Sequence, residues 1–122
     1  MPIIRKGGVL LPRPRKWRKV CAAPRCTHFT PSHEQGGGIV EMMVDEYESI
    51  RLIDLEGLTQ EQCADQMEIS RATAQAIYSN ARKKLADCVV NGCTLTIGGG
   101  EYRICEHANA HCGNGCCYKH LN

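Results

Sequence analysis

Two helix-start patterns stand so close together that only one short helix and a tight turn fit between them. Thr59 is followed three residues later by Gln62, an arrangement in which side chain and backbone at a helix start satisfy each other's donors. Ser70 offers a second cap. Between the two, Cys63, Ala64 and Met67 fall on one helical face. Beyond Ser70 an apolar stripe of Ala74, Ile77, Tyr78, Ala81, Leu85 and Cys88 runs on at the same spacing until Asn91-Gly92 ends it. Small Ala64 lets the two helices approach closely, and Cys63, Met67, Ile69, Ala74 and Ile77 form the set that joins them. The segment from Leu58 to about Val90 therefore predicts a helix-turn-helix. Glu68 occupies the turn position where many such motifs carry glycine.

The rest of the chain is expected to pack around this pair. Ile39 to Met43 predicts a short strand. Asp45, answered by Glu48, predicts a further helix with Tyr47, Ile50 and Ile53 on one face and Gly57 at its end. Leu95 and Ile97, then Gly98-Gly99-Gly100, then Tyr102 and Ile104 predict a β-hairpin. With one Trp, one Phe and four Tyr, the core must rest on aliphatic residues, Met, Ala and Cys, and a staple such as a metal is expected. The fold class is mostly α: a helix-turn-helix domain with a small β-hairpin and a Cys/His-rich tail. The expected division is a basic N-terminal arm at 1–33, the helix-turn-helix domain at 34–92, the hairpin at 93–104 and a metal-binding tail at 105–122.

Charge is unevenly spread. Residues 1–33 hold eight Lys or Arg and no acid, residues 34–68 ten acids against Arg51, and residues 69–122 six bases against three acids. The first segment also holds all five prolines, which favour an extended arm. An extended basic arm suits a minor groove or a line of phosphates; it could also lie on the chain's own acidic segment. Arg13, Arg15 and Lys16 carry its expected DNA contacts, and Trp17 either covers the core or stacks on a base.

On the helix after Ser70, the outward residues are Arg71, Ala72, Gln75, Ala76 and Ser79, with Thr73 beside them. Arg and Gln can read guanine and adenine edges, and small methyl groups can meet thymine. Arg82, Lys83 and Lys84 continue the same helix and suit phosphates. Double-stranded DNA is thus the expected partner, with a homodimer as the expected assembly.

The nine cysteines divide by context. Cys63 and Cys88 sit on apolar stripes and are expected in the core; Cys93, beside the hairpin, is ambiguous. Cys105, His107, His111, Cys112, Cys116, Cys117 and His120 crowd into a tail with few apolar residues, where a metal would supply order. The expected ligands are Cys105, Cys112 and Cys116, with Cys21 as the fourth, and Cys26, His28, His111 and Cys117 as substitutes. Zinc is the expected metal and an iron–sulfur cluster the alternative. There is no secretory leader pattern and no apolar run long enough to span a bilayer, so a reducing cytoplasmic setting, away from membranes, is expected. There thiols and metal ligands are expected rather than disulfides.

A resemblance supports this reading. Pro12-Arg13-Pro14-Arg15-Lys16, Trp17-Arg18-Lys19-Val20-Cys21, Asp45-Glu46-Tyr47-Glu48, Arg51-Leu52, Asp54-Leu55-Glu56-Gly57, Ser70-Arg71-Ala72-Thr73 and Ala81-Arg82-Lys83-Lys84 together resemble a family of uncharacterised prokaryotic predicted DNA-binding proteins. That family's core is similar to region four of sigma factors. The resemblance covers roughly residues 12 to 105 and implies a helix-turn-helix and DNA binding; residues 1–11 depart from the family's usual start and are expected to be an upstream start or an extension. The expected function is that of a DNA-binding transcriptional regulator with a structural or sensing metal site. The alternative is a metal- or redox-sensing adaptor that binds protein. Enzymatic activity is not expected: neither a C-x-x-C nor a Gly-Lys-Ser/Thr phosphate loop is present.

Overall fold

A computed structural model describes residues 17–32 and 37–105. The helices are α1 (Val44–Ile50), continued by a π turn at Arg51–Leu55, α2 (Gln60–Met67) and α3 (Arg71–Asn91). The strands are β1 (Arg18–Val20), β2 (His28–Phe29), β3 (Ile39–Met42), β4 (Thr94–Ile97) and β5 (Tyr102–Ile104).

The described part of the expected arm is not loose chain, because two of its segments are strands. β2 pairs antiparallel with β4, setting His28 opposite Thr96, while β3 lies parallel on the other side of β4 with Met42 opposite Ile97. β1 pairs in parallel with β5, Val20 opposite Ile104.

The expected hairpin does not form: β4 and β5 are present but belong to different sheets. The glycine run explains the divergence. Gly98 donates its amide to the Met42 carbonyl at 2.9 Å, and Val44 donates to Gly99 at 3.1 Å, so this segment pairs with the link from β3 to α1. Gly99 and Gly100 take φ of 79° and 93°, and a Cβ on Gly100 would stand 3.0 Å from the Met43 Cβ. Only glycine fits that approach without strain.

α1 begins at Val44, one residue ahead of the expected Asp45. Glu46, not Glu48, reaches back, accepting the Met43 amide at 2.9 Å. Glu48 is drawn inward instead. Its carboxylate accepts from Arg51 Nε and Nη2 at 2.9 and 2.8 Å, and from the Cys21 amide at 3.1 Å. A two-pronged guanidinium contact plus a backbone donor satisfies most of a buried carboxylate's needs. Arg51 also reaches Glu56 at 3.5 Å, holding both ends of the π turn, where the Glu56 amide donates to the Arg51 carbonyl. Gly57, at φ 84°, releases the chain toward α2.

Thr59 caps α2 as its sequence predicts: its hydroxyl accepts from the Gln62 amide at 3.1 Å, and Gln62 Oε1 accepts from the Thr59 amide at 2.9 Å. Ser70 caps α3 by accepting from the Thr73 amide at 3.1 Å. At the far end Gly92, φ 67°, lets its own amide and that of Cys93 donate to the Cys88 carbonyl, a glycine-ended helix stop.

Among the described residues, two apolar clusters hold these elements together. Val20, Met42, Val44, Ala81, Leu95 and Ile97 join α3 to the sheets and to the start of α1. Leu52, Leu58, Cys63 and Met67 join the π turn to α2, with Ile53 and Ile69 against them. The expected face of Tyr47, Ile50 and Ile53 is thus split between the two clusters. Cys88, expected in the core, is only half-buried at the edge of the first, and Trp17 stands 47% exposed, off both.

Candidate nucleic-acid interface

α2 and α3 are joined by Glu68, Ile69 and Ser70 alone. The turn is tight because Glu68 adopts a left-handed conformation, φ 60° and ψ 46°; it is the one described non-glycine residue with positive φ. Such a backbone costs a residue with a Cβ about 1 kcal/mol. The Glu68 side chain supplies a reason for it. Its carboxylate pairs with Arg103 of β5 and lies 3.8 Å from Lys19 of β1, tying the turn to the small sheet. Glycine would ease the backbone but remove both pairs.

Cys63, Ala64, Met67, Ala74, Ile77 and Ala81 are buried between the helices and the core. Burial raises the Cys63 thiol to about 12, with the nearby Glu48 charge acting in the same direction, so it is an inert core group at neutral pH. The opposite face of α3 is open. Arg71, Ala72, Gln75, Ala76, Ser79, Arg82 and Lys83 are all exposed, and Arg71, Gln75, Ser79 and Lys83 recur every fourth residue along one line. Thr73 is half-buried, and its hydroxyl accepts from Ser70 at 2.8 Å, which makes it part of the cap.

Two of the cations differ from expectation. Lys84 donates to Glu46 Oε1 at 2.7 Å and serves the helix packing. Arg82 lies over the Tyr78 ring, 5.6 Å from its centroid, donates to the Tyr78 hydroxyl at 3.2 Å and sits 3.8 Å from Asp54. Tyr78 in turn donates to Asp54 at 2.8 Å. Arg82 is therefore pre-oriented but held by an acid, whereas Lys83 projects outward. The other edge of α3 faces acids: Asp45, Glu46 and Glu101 line a cleft against Ala72, Thr73 and Ala76.

Arg13, Arg15 and Lys16 lie outside the described residues, as do Cys112 and Cys116, and so do the substitute ligands His111 and Cys117. Of the expected metal ligands, Cys21 and Cys105 can be placed, and the fold brings them together. Each directly follows a strand of the β1–β5 pair, whose parallel register sets Val20 opposite Ile104. The Cys105 amide donates to the Val20 carbonyl at 2.7 Å, and both cysteines are buried, at 3% and 4% exposure. Neighbouring strands run about 4.8 Å apart, which places the two residues side by side. Against the expectation of reduced cysteines, the Cys21 sulfur is disulfide-bonded; it could ligate a metal only after reduction. Among the described residues no group of three or more His, Cys, Asp or Glu is gathered for a metal. Cys26 and His28 are exposed on another part of the chain, near β2. No helix among the described residues is long and apolar enough to cross a membrane.

The described residues thus form a small helical domain with two minor sheets and an exposed, capped helix. The chain belongs to the family described as "Protein of unknown function DUF134", whose model matches residues 4–105. The match reaches further toward the N-terminus than the expected boundary near Pro12. A UPF0251 protein of Desulfitobacterium hafniense (strain Y51) is 56% identical over 111 residues, covering 89% of this chain and 88% of that protein. A UPF0251 protein of Thermoanaerobacter sp. (strain X514) is 47% identical, covering 79% and 87%, and one of Caldicellulosiruptor bescii 46% identical, covering 84% and 74%. No solved structure matches the chain.

Proposed function

We propose that this protein is a transcriptional regulator that binds double-stranded DNA through a helix-turn-helix made of α2 and α3. The observation that carries the reading is the outward line of Arg71, Gln75, Ser79 and Lys83 on a helix whose opposite face is buried. Arg71 and Gln75 can pair with base edges in the major groove, Ala72 and Ala76 leave room for thymine methyls, and Lys83 meets phosphate. A basic arm carrying Arg13, Arg15 and Lys16 would add phosphate or minor-groove contacts. Two copies would read half-sites about 34 Å apart.

The test is binding to a genomic DNA pool at stepped salt, followed by variants. Log affinity should fall with log salt by about 0.9 per phosphate contact. Arg71→Ala and Gln75→Ala should each relax preference at one base pair by about 1–3 kcal/mol, while Lys83→Ala weakens all sequences alike. Binding that ignores salt, or identical behaviour of the two classes, would sink the assignment. Salt-independent capture of protein partners would favour instead the adaptor reading. That reading draws on an apolar groove of about 340 Å3 lined by Phe29, Tyr47, Ile50, Leu85 and Val89.

The metal is the second part of the proposal. Cys21 and Cys105 follow neighbouring strands, and in the reduced chain their thiolates with those of Cys112 and Cys116 would make a tetrahedral set for zinc or an iron–sulfur cluster. Supporting this reading is the backbone around the pair, held by the Cys105–Val20 and Cys21–Glu48 hydrogen bonds. Reduced protein loaded with Zn²⁺ should retain about one equivalent, and Cys105→Ser should release it. Retention by the variant would remove Cys105 from the site.

A further inference from the structure

Beside the C-terminal end of α3 an apolar groove of about 340 Å3 lies between that helix, α1 and the β2–β4–β3 sheet. Phe29, Tyr47, Ile50, Leu85, Val89 and Leu95 line it, and none of its described lining residues is an acid or a base. The volume falls at the lower end of the range for small-molecule sites, about 300–1,000 Å3. Two further lining residues are Cys88 and Cys93, and both are free thiols.

The helix stop puts these two cysteines together. The Cys93 amide donates to the Cys88 carbonyl at 3.2 Å around Gly92, which is left-handed. That hydrogen bond turns the chain back on the last turn of the helix, and side chains at its two ends commonly meet. Cys88 belongs to the apolar stripe of α3 and is half-buried against the core. Cys93 is 8% exposed, and its thiol donates to the Gly37 carbonyl at 2.9 Å. Burial raises the Cys88 thiol, and the neighbouring Cys93 and Asp87 act in the same direction. At neutral pH Cys88 is therefore held as a thiol and reacts slowly with dissolved oxidants. Its oxidation gains most from an oxidant held next to the pair.

We propose that the groove binds a small uncharged quinone and that the Cys88–Cys93 pair reduces it. An uncharged lining takes a flat apolar ring against Phe29 and Leu85, and gives an ionic oxidant no partner for its charge. Cys88, the more open of the two, adds through sulfur to a ring carbon. Cys93 then attacks that sulfur. The sulfur–sulfur bond forms as the sulfur–carbon bond breaks, the electron pair passes into the ring, and the two ring oxygens take up the two thiol protons. Quinone and dithiol become hydroquinone and disulfide, with no other reactant. The disulfide ties the last turns of α3 to the residue that precedes β4. The chemistry needs neither DNA nor a protein partner, so the test uses the protein alone.

Full-length protein prepared without oxygen is mixed with duroquinone, whose four ring methyls prevent a lasting thioether. The readouts are hydroquinone absorbance and the tryptic peptide 85–103, which contains both cysteines. That peptide should become lighter by two hydrogens and resist alkylation, at a rate that saturates with quinone concentration. Cys93→Ser should leave Cys88 open to alkylation after the same treatment. Phe29→Ser, at a half-exposed position, removes a wall of the groove and opens it to water. It should slow oxidation by duroquinone about tenfold and leave oxidation by oxidised glutathione no slower. An unchanged 85–103 peptide, a rate that rises linearly with quinone, or the same response of Phe29→Ser to both oxidants would overturn the proposal. So would a rate that falls as protein concentration rises, because a second copy would then occupy the groove.

Discussion

The α2–α3 pair and the β1–β5 pair lie side by side, joined through Glu68, but they are specified in opposite ways. In the helical pair the interactions that set the helix ends are local. Thr59 answers Gln62, Ser70 answers Thr73, and Gly92 closes on Cys88. The strand pair joins residues 18–20 to residues 102–104, and nothing in either short segment names the other. Its anchor is Glu48, a third, distant residue whose carboxylate fixes both Arg51 and the Cys21 amide. Local hydrogen bonds specify a helix without reference to the rest of the chain; a parallel pair forms only when the intervening fold delivers both strands.

That contrast can be broken at Glu48. Glu48→Ala leaves the buried Arg51 with the weaker 3.5 Å contact to Glu56 and removes the carboxylate that accepts from the Cys21 amide. Removing one partner of a buried pair costs about 3–5 kcal/mol. Chemical denaturation should show a loss of that size, and hydrogen exchange should show β1 and β5 opening before α2 and α3. A loss under 1 kcal/mol would mean that the strands hold without the anchor.

Thr59→Ala probes the local side. Loss of the cap should cost about 1 kcal/mol and raise exchange at the start of α2 while leaving β1–β5 protection alone. Spread of the effect to the strands would show that the two regions are not separately specified.

Glu68 is where the two regions meet, so two substitutions dissect it. Glu68→Gly and Glu68→Ala both remove the Arg103 and Lys19 pairs, so that loss cancels between the two variants. Only Ala keeps a Cβ in the left-handed region, so Ala should be less stable than Gly by about 1 kcal/mol. Equal stabilities would mean that the turn has relaxed out of that conformation.

The smallest effect concerns Asp45, whose pKa is raised, chiefly by burial, against the opposing pull of Arg18. A folded-state value above the unfolded one favours the protonated form. Its contribution is therefore fully present below the usual 3.8 and is lost as pH rises through the raised value. Asp45→Asn should melt slightly above the parent at pH 7 and level with it at pH 3. A variant less stable at pH 7 would mean that attraction to Arg18 outweighs burial.

Much of the helical architecture was legible because its cues are short-range. Both caps, the inner set of Cys63, Met67, Ala74 and Ile77, and the Gly92 stop follow from residues within a turn or two of one another. Glu68 stands out in the turn from the sequence alone, but its partners Arg103 and Lys19 do not, since they arrive from both ends of the described chain. The short strand predicted at Ile39 to Met43 is present as β3, Ile39–Met42. The hairpin was not found correctly, because a glycine run between two alternating segments gives the same pattern whether the strands pair or part. Only the competing hydrogen bonds from Gly98 to Met42 and from Val44 to Gly99 decide between those outcomes.

The candidate surfaces divide in the same way. The outward line of Arg71, Gln75, Ser79 and Lys83 is a consequence of helical periodicity, so the sequence determined it alone. That Lys84 is spent on Glu46, that Arg82 is held by Asp54, and that Arg18 stands 3.5 Å from Asp45 were decided by tertiary packing. So was the placement of Cys21 next to Cys105. Periodicity and capping act over a few residues and survive in any context, whereas the partner of a charge or a thiol depends on which distant segments the folded chain brings within about 4 Å of it.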